Sequence, residues 1–200
     1  MNQDCEHPVH DTIRKIPIPE RFGMLTVCEA GSSRQEQHQA AHVLLRESAG
    51  KLLTDPAEIE EKLCLAYHPG GKPFFKNYPA LYFNLSHCDG LAVCLVSSRE
   101  CGADVEMRRA VRPGILRKIF TSEEQELVLR SDNPDLEFTR IWTLKEAYVK
   151  AIGKGIAFPM QKIFFTCLHP EIRSNQQHAE FHQIMISESG YVISLCILEK

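Results

Sequence analysis

The chain has 200 residues, 44% of them hydrophobic and 24% charged, a balance typical of a globular protein with a sizeable core. Its net charge of -3 excludes the basic surface of a nucleic-acid-binding domain, so we expect no nucleic-acid partner. No apolar run reaches the ~18–20 residues of a transmembrane helix, and the polar, acidic first residues are unlike a signal peptide, so we expect no membrane association.

The N-terminal part combines a helix with several strands. Residues 33–50 predict an amphipathic helix, because alanine, valine and leucine recur on one side and a glycine ends the pattern. A second short helix is predicted after Asp55-Pro56, a favourable helix start. A turn at 68–73 precedes three predicted strands, ALYFNLSH, LAVCLVS and GADVEM. The short connection SRECG predicts that the last two strands form an antiparallel hairpin.

The C-terminal part repeats this order. Thr121 and Glu124 form a capping box, which predicts a helix start. A long helix is predicted over 135–152, after the break at Asn133-Pro134 and before Gly153. The segments KIFFTC, AEFHQIMIS and GYVISLCIL have the pattern of strands.

The repeated order predicts two similar halves. GLAVCLV (90–96) and GYVISLC (190–196) share an apolar register. We therefore expect an α+β fold with two pseudo-twofold-related halves, 1–108 and 109–200, which form one functional unit with a ligand site in the crevice between them. Because a single chain then supplies both sides of the site, we expect a monomer. The cysteines are scattered and include no CxxC pair, which favours reduced thiols in a cytoplasmic protein.

Acidic residues stand out in two of these elements. Asp104 and Glu106 are two apart in a predicted strand and so share one face. Trp142, Glu146 and Lys150 recur every four residues and so share one stripe of the long helix. If the three carboxylates converge, they form a hard-oxygen site suited to Mg²⁺, with Lys150 as a contact for phosphate. The alternatives are a solvated acidic pair, a core tryptophan and an ordinary Glu–Lys pair on a helix surface.

Five short motifs occur in an order that resembles a known family. They are GKP (71–73), FNLSH (83–87), GADVE (102–106), WTLKEAYVK (142–150) and GKG (153–155). Together they resemble the signature of the 4'-phosphopantetheinyl transferases of the surfactin-synthetase-activating (Sfp) type.

The resemblance implies a fold and a reaction. The family has two similar α+β halves with coenzyme A bound between them. It transfers the 4'-phosphopantetheine arm of coenzyme A to a serine of an apo acyl or peptidyl carrier protein and releases adenosine 3',5'-bisphosphate, as holo-(acyl-carrier-protein) synthases do. The nucleophilic serine belongs to the carrier, so no nucleophile motif is expected in this chain.

The resemblance also implies roles for the acidic residues. Asp104, Glu106 and Glu146 match the positions that bind Mg²⁺. Glu146 is also a candidate to take the serine proton, directly or through a metal-bound water, and the sequence leaves both roles open. Lys150 matches a contact to the pyrophosphate.

Other residues match positions that hold the phosphates of coenzyme A. They are Lys72, Ser86 and His87, and Arg46 on the first helix adds a further cation. The basic stretch that family members often carry ahead of this helix is replaced here by a segment with Arg34 alone. Either Arg14, Lys15 or Arg21 substitutes for it from further upstream, or the affinity for coenzyme A relies more on Lys72, His87 and Lys150.

Two other functions remain open from the residues. A metal-dependent phosphohydrolase would use the same three acids, but would leave Lys72 and the Ser86-His87 pair without a role. A non-catalytic carrier-binding module would not need the acids and Lys150 together. The i,i+4 pairs His38/His42 and His178/His182 lack a third ligand motif, so we expect surface or packing roles for them.

Overall fold

A computed structural model describes residues 13–52, 63–168, 171–187 and 189–199. The helix predicted after Asp55-Pro56 lies outside the described residues. Within them, none of the helices combines the length and the apolar composition that crossing a membrane requires.

The N-terminal elements form one sheet, one helix and a small hairpin. They are Arg14–Ile16 (β1), Met24–Glu29 (β2), Arg34–Gly50 (α1), Leu65–Tyr67 (β3), Pro73–Phe75 (β4), Tyr82–Cys88 (β5) and Leu91–Ser97 (β6). The antiparallel sheet has the order β1-β2-β6-β5, and β3 pairs with β4. The predicted helix α1 is confirmed, and it begins at a capping box in which Ser33 accepts a hydrogen bond from the Glu36 backbone N–H.

The C-terminal elements follow the same plan. They are Cys101–Met107 (β7), Pro113–Ile119 (α2), Ser122–Arg130 (α3), Pro134–Ala151 (α4), Phe165–Leu168 (β8), Glu171–Ser174 (β9), Ala179–Ile186 (β10) and Tyr191–Leu198 (β11). The antiparallel sheet has the order β10-β11-β7, and β8 pairs with β9. The capping box predicted at Thr121 and Glu124 starts α3, and Asn133 caps α4.

The two sheets share one topology. In each, a first strand (β2 or β7) precedes a long helix (α1 or α4), a short hairpin and two further strands, and the last strand takes the centre of the sheet. The predicted α+β fold of two similar halves is therefore confirmed, and β6 and β11, which carry the matching apolar segments, are equivalent strands. Although β7 precedes residue 109, it pairs with β11. The division of the chain at 108/109 stays a prediction.

The hairpin predicted between LAVCLVS and GADVEM is wrong. These segments are β6 and β7, which belong to different sheets. Both edges of β6 are occupied, by β2 and by β5, so no backbone groups remain on it for β7. The short connection between them instead carries the chain from the first sheet to the second.

The core lies in three layers of apolar side chains. One cluster lies between the two sheets, with residues of β2 and β6 facing residues of β7 and β11. A second cluster lies under α1, and a third lies under α4. The sheets therefore pack face to face, with one long helix on the outside of each.

A buried ion pair joins α3 to α4. The side chains of Lys145 and Glu124 are both 0% exposed, and Lys145 Nζ lies 2.8 Å from Glu124 Oε2. The same ammonium donates to the carbonyls of Met160 and Ile163, and Glu124 Oε1 accepts from the Phe165 backbone N–H. Each charge is thus paired and hydrogen-bonded, and the pair fixes the entry to β8 against both helices.

The substitution Lys145→Met tests this pair. Removing the ammonium leaves the Glu124 carboxylate buried without its counter-charge, so we expect the free energy of unfolding to fall by about 3–5 kcal/mol in urea titrations. Adding Glu124→Gln to that variant recovers part of the loss. As a control, Arg130→Ala breaks the exposed pair with Glu126 and costs less than about 1 kcal/mol. Equal losses for the buried and exposed pairs would contradict this account.

Candidate active site

The free edge of β7 is closed by side chains of β5. The Ala103 backbone N–H donates to Asn84 Oδ1 at 2.8 Å, and the Val105 N–H donates to Ser86 Oγ at 3.3 Å. Both acceptor side chains are buried. These two bonds join the sheets at one junction and fix the strand on either side of Asp104.

Asp104 is the most buried acid of this junction. Its Oδ1 atom accepts hydrogen bonds from Ser86 Oγ at 2.9 Å and from Lys150 Nζ at 2.6 Å. Its Oδ2 atom is also buried and has no hydrogen-bond partner among the described residues. A buried carboxylate oxygen without a partner is costly, so this atom marks a place where a cation or donor would be stabilising.

Glu106 lies on the same face of β7, as the alternation predicted. Burial, and then the charge of Asp104, raises its pKa to about 7, although Arg109 and Lys150 act in the opposite direction. The Arg109 guanidinium donates to Glu106 Oε2 at 2.5 Å. Trp142 also acts to lower this pKa, although its buried indole N–H has no hydrogen-bond partner among the described residues, and its ring packs against the core under α4.

Glu146 approaches the same acids from α4. Burial and then the charge of Asp104 raise its pKa, and Lys150 lowers it. The stripe predicted on the helix therefore faces β7. Lys150 contacts Asp104, Trp142 lies near Glu106, and Glu146 lies within electrostatic reach of Asp104. The sequence could not show this convergence, because it depends on how the helix packs.

The donor chemistry of this group fits Mg²⁺, which prefers carboxylate oxygens. Asp104 Oδ2 is a buried acceptor of that kind that no described residue bonds. A ready-made set of ligands is not formed, however. In the part of the chain that the structure describes, no three His, Cys, Asp or Glu side chains are grouped closely enough to hold a metal ion.

Lys150 is held firmly at the centre of the group. Its ammonium donates to Ser86 Oγ at 2.9 Å, to the Ala103 carbonyl at 3.2 Å and to Asp104 Oδ1 at 2.6 Å. These contacts use all three N–H bonds of a lysine. Its predicted contact with pyrophosphate stays a prediction.

Gly102 lets the helix approach the strand closely enough for these contacts. A Cβ atom at this position would lie 2.0 Å from the Ala147 carbonyl oxygen and 2.5 Å from the Ala151 backbone nitrogen. The glycine of the GADVE motif is thus required by packing, because the backbones of α4 and β7 meet here. The small side chains of the two alanines on α4 allow the same approach.

Lys72 has a structural contact that the sequence did not predict. Its ammonium donates to the carbonyls of Cys101 at 3.1 Å and Ala151 at 2.6 Å, and its side chain is only 10% exposed. It therefore ties the turn before β4 to the start of β7 and the end of α4. Glu100 lies 3.5 Å from the same ammonium. The predicted phosphate contact of Lys72 stays a prediction.

His87 lies at the end of β5, beside the start of α1. Its Nδ1 atom is hydrogen-bonded to Gln37 Oε1 at 3.1 Å. Burial lowers the pKa of His87, as do the nearby charges of Lys150, His38 and Arg34, in that order. Two residues of the first turns of α1, Gln37 and Arg34, thus belong to the neighbourhood of His87. The sequence analysis identified Arg34 as the cation left in this stretch and missed Gln37.

A cavity of about 200 Å³ opens beside His87, between α1, the β3–β4 hairpin and β5. Its lining includes His38, His42, Tyr67 and Pro73. The two histidines pack ring against ring with centroids 4.4 Å apart, in line with the packing role expected for this pair.

The second predicted i,i+4 pair, His178 and His182, lies away from this cavity. His178 is hydrogen-bonded to the Tyr148 hydroxyl, and His182 packs against Phe22.

The remaining predicted cations lie elsewhere. Arg46 is exposed on α1, and Arg14 and Lys15 are exposed on the edge strand β1. Arg21 pairs with Glu180 on β10. Neither that ion pair nor β1 includes a residue of the junction.

Arg109 was missed by the sequence analysis, because the chain turns after β7 and brings this residue back to Glu106.

Comparisons with known proteins support the predicted resemblance. Residues 100–196 match the model of the 4'-phosphopantetheinyl transferase superfamily. A 4'-phosphopantetheinyl transferase of Bacillus subtilis is 29% identical over 139 residues, which are 66% of this chain and 60% of that protein. The 4'-phosphopantetheinyl transferase HetI of Nostoc is 36% identical over 116 residues, 54% of this chain and 47% of that protein. The resemblance to this family is therefore confirmed.

The match is partial in length. This chain spans about 60% of the length of the first of these curated relatives. A solved structure, the holo-(acyl-carrier-protein) synthase of Thermotoga maritima, aligns with 50% of this chain and 63% of its own, at 20% identity and a TM-score of 0.43.

The close approach at Gly102 gives a testable prediction. In Gly102→Ala the added methyl group pushes α4 away from β7, so we expect a loss of about 1–3 kcal/mol in unfolding free energy, measured by urea denaturation. Gly114→Ala is the matched control. A Cβ atom there meets nothing within 4 Å, and the position is helical, so the change should be neutral or slightly stabilising. The prediction fails if both variants behave alike.

Proposed function

We propose that this chain is a Mg²⁺-dependent phosphopantetheinyl transferase. It transfers the 4'-phosphopantetheine arm of coenzyme A to a serine of an apo acyl or peptidyl carrier protein and releases adenosine 3',5'-bisphosphate. The main observation in favour is the junction where Lys150 contacts Asp104 and where Glu146 lies within electrostatic reach of both, inside the region that matches the transferase superfamily.

The metal would be held by three carboxylates, those of Asp104 and Glu106 on β7 and that of Glu146 on α4. The Asp104 Oδ2 atom, which has no hydrogen-bond partner in the described part of the chain, supports this assignment. When bound, Mg²⁺ would neutralise the negative charge that develops on the pyrophosphate oxygens as the carrier serine attacks phosphorus.

Protein side chains supply the other two requirements of the reaction. Lys150, which Ser86 and Asp104 hold in place, puts a fixed positive charge at the centre of the site, where it can stabilise a phosphate oxygen. Glu146 is the candidate base for the serine proton. It would take that proton directly or through a metal-bound water.

Coenzyme A would bind beside His87 and α1. The cationic Arg34 lies near His87, and the cavity next to that histidine has room for part of the nucleotide. In this proposal Ser86 and His87 face the phosphates, Lys72 holds the turn that leads into the cavity wall, and Arg46 adds a cation at the surface of α1. The turn also carries Pro73, whose ring forms part of the cavity wall.

The setting of the reaction follows from the same proposal. We infer a cytoplasmic protein, and the described cysteines, which are all free thiols, fit a reducing compartment. Because one chain carries both halves of the fold, we expect it to act as a monomer.

The central experiment weighs an apo carrier protein after incubation with coenzyme A, Mg²⁺ and this protein. We expect a phosphopantetheine-sized mass gain that disappears when EDTA removes the metal. Release of nucleotide or phosphate without a change in carrier mass would instead indicate a phosphohydrolase. No change in any of several acyl and peptidyl carriers, with no turnover of coenzyme A, would exclude both enzymes and leave a binding module.

Conservative substitutions in the acids test the residue assignments. Asp104→Asn and Glu146→Gln keep the side-chain volume but remove a metal ligand or base, so we expect transfer to fall by about 10²-fold or more. Glu126→Gln on α3 is the control, because that acid is exposed and pairs with Arg130 outside the site. Circular dichroism checks that all three variants are folded. Wild-type rates in either site variant would refute its assignment.

A further inference from the structure

Arg109 is anchored so that its side chain returns to the acids. The strand ladder ends where the Arg108 N–H donates to the Gly190 carbonyl at 2.8 Å. The Arg109 N–H then donates to Thr139 Oγ1 at 3.1 Å, and that hydroxyl donates to the Asp135 carbonyl in the first turn of α4. The backbone of Arg109 is thereby fixed to the helix, close enough for the guanidinium to reach Glu106.

Two acids of the proposed metal site already have a cation of this chain beside them. Arg109 Nη2 lies 2.5 Å from Glu106 Oε2, and Lys150 Nζ lies 2.6 Å from Asp104 Oδ1. These pairs reduce the repulsion between two neighbouring, largely buried carboxylates. The two cations also occupy two of the carboxylate oxygens that a metal ion would use.

The two cations differ in how easily they can leave. Lys150 uses all three N–H bonds on partners from β5 and β7. Arg109 holds Glu106 through one guanidinium nitrogen, and 34% of its side chain is exposed, so water can solvate the guanidinium when it moves away. Arg109 is therefore the cation that a metal ion would displace first.

We propose that Arg109 is a resident counter-cation of Glu106, which stabilises the metal-free site and is displaced when a divalent ion binds. The inference rests on the metal site of the proposed function. It assigns a role that none of the five family motifs includes, since Arg109 lies three residues beyond GADVE. Metal binding is then an exchange in which the ion gains the carboxylate oxygen and the guanidinium turns to water.

This exchange has a direction that a purely structural role does not have. Removing Arg109 removes a competitor, so the metal ion should bind more tightly, whereas damage to the site would weaken binding. An ion pair of this exposure is worth on the order of 1 kcal/mol, so we expect roughly a 3- to 10-fold change in affinity. Without metal, the same variant should be less stable than the wild type, because its two acids repel each other with one counter-charge fewer.

Direct titration of the full chain tests the exchange without coenzyme A or a carrier. Free Mn²⁺ is followed by electron paramagnetic resonance for the wild type, Arg109→Gln and Arg109→Lys. The control is Arg108→Gln, a substitution that removes the same charge from an exposed position one residue away. We expect the dissociation constant to fall roughly 3- to 10-fold in Arg109→Gln and by less in Arg109→Lys, and to stay within about 2-fold in Arg108→Gln.

Thermal melting supplies a second readout. Arg109→Gln should melt below the wild type in EDTA, and saturating Mg²⁺ should raise its Tm by more than it raises that of the wild type. If Arg109→Gln does not fold, Arg109→Lys, with its shorter reach to Glu106, carries the test.

Each outcome separates this inference from the proposed function. Equal or weaker Mn²⁺ binding by the Arg109 variants overturns the exchange, as does a wild type that binds no Mn²⁺ at all. Modification of a carrier by the wild type would still support the transferase in either case. Conversely, tighter binding in Arg109→Gln together with an inactive wild type would support the exchange at a metal site that serves another reaction.

Discussion

The structure depends on how one strand edge is closed. β7 is the edge strand of its sheet, and its free N–H groups at Ala103 and Val105 are bonded by side chains of β5 rather than by another backbone. Ser86 does more than satisfy one of them. Its hydroxyl also donates to Asp104 and accepts from Lys150, so one buried side chain links both sheets and α4. The site lies at the junction because that is where the halves are joined.

Placing acids at such a junction has an electrostatic cost. Burial and mutual repulsion raise the pKa of Glu106 and of Glu146, as expected when charged groups leave water close to another carboxylate. Lys150 and Arg109 offset part of this cost, and Asp104 Oδ2 remains without a partner among the described residues. The Glu124–Lys145 pair is different, since each of its charges is fully paired and hydrogen-bonded. In the proposed function, this contrast separates an acid that serves the fold from acids that would hold a ligand.

Local patterns predicted much of the fold and part of the site. The capping box at Thr121, the break before α4 and the matching segments of β6 and β11 all depend on residues close in sequence, and the structure contains each of them. The prediction of a hairpin between β6 and β7 was wrong, because a short loop shows only that two strands are near in sequence. The pairing is decided by the edges of β6, which β2 and β5 occupy. The contacts of Lys72 with two carbonyls were not predicted, because both partners lie far along the chain, and its phosphate contact stays a prediction.

The sequence by itself determined which side chains share a face: Asp104 with Glu106 along a strand, and Glu146 with Lys150 along a helix. Those spacings follow from backbone geometry and need no distant partner. Only the tertiary structure decided that the two faces meet, because the approach of α4 to β7 depends on the missing side chain at Gly102. It alone also placed Arg109 against Glu106, since the turn after β7 is held by a hydrogen bond to Thr139, thirty residues later in the chain.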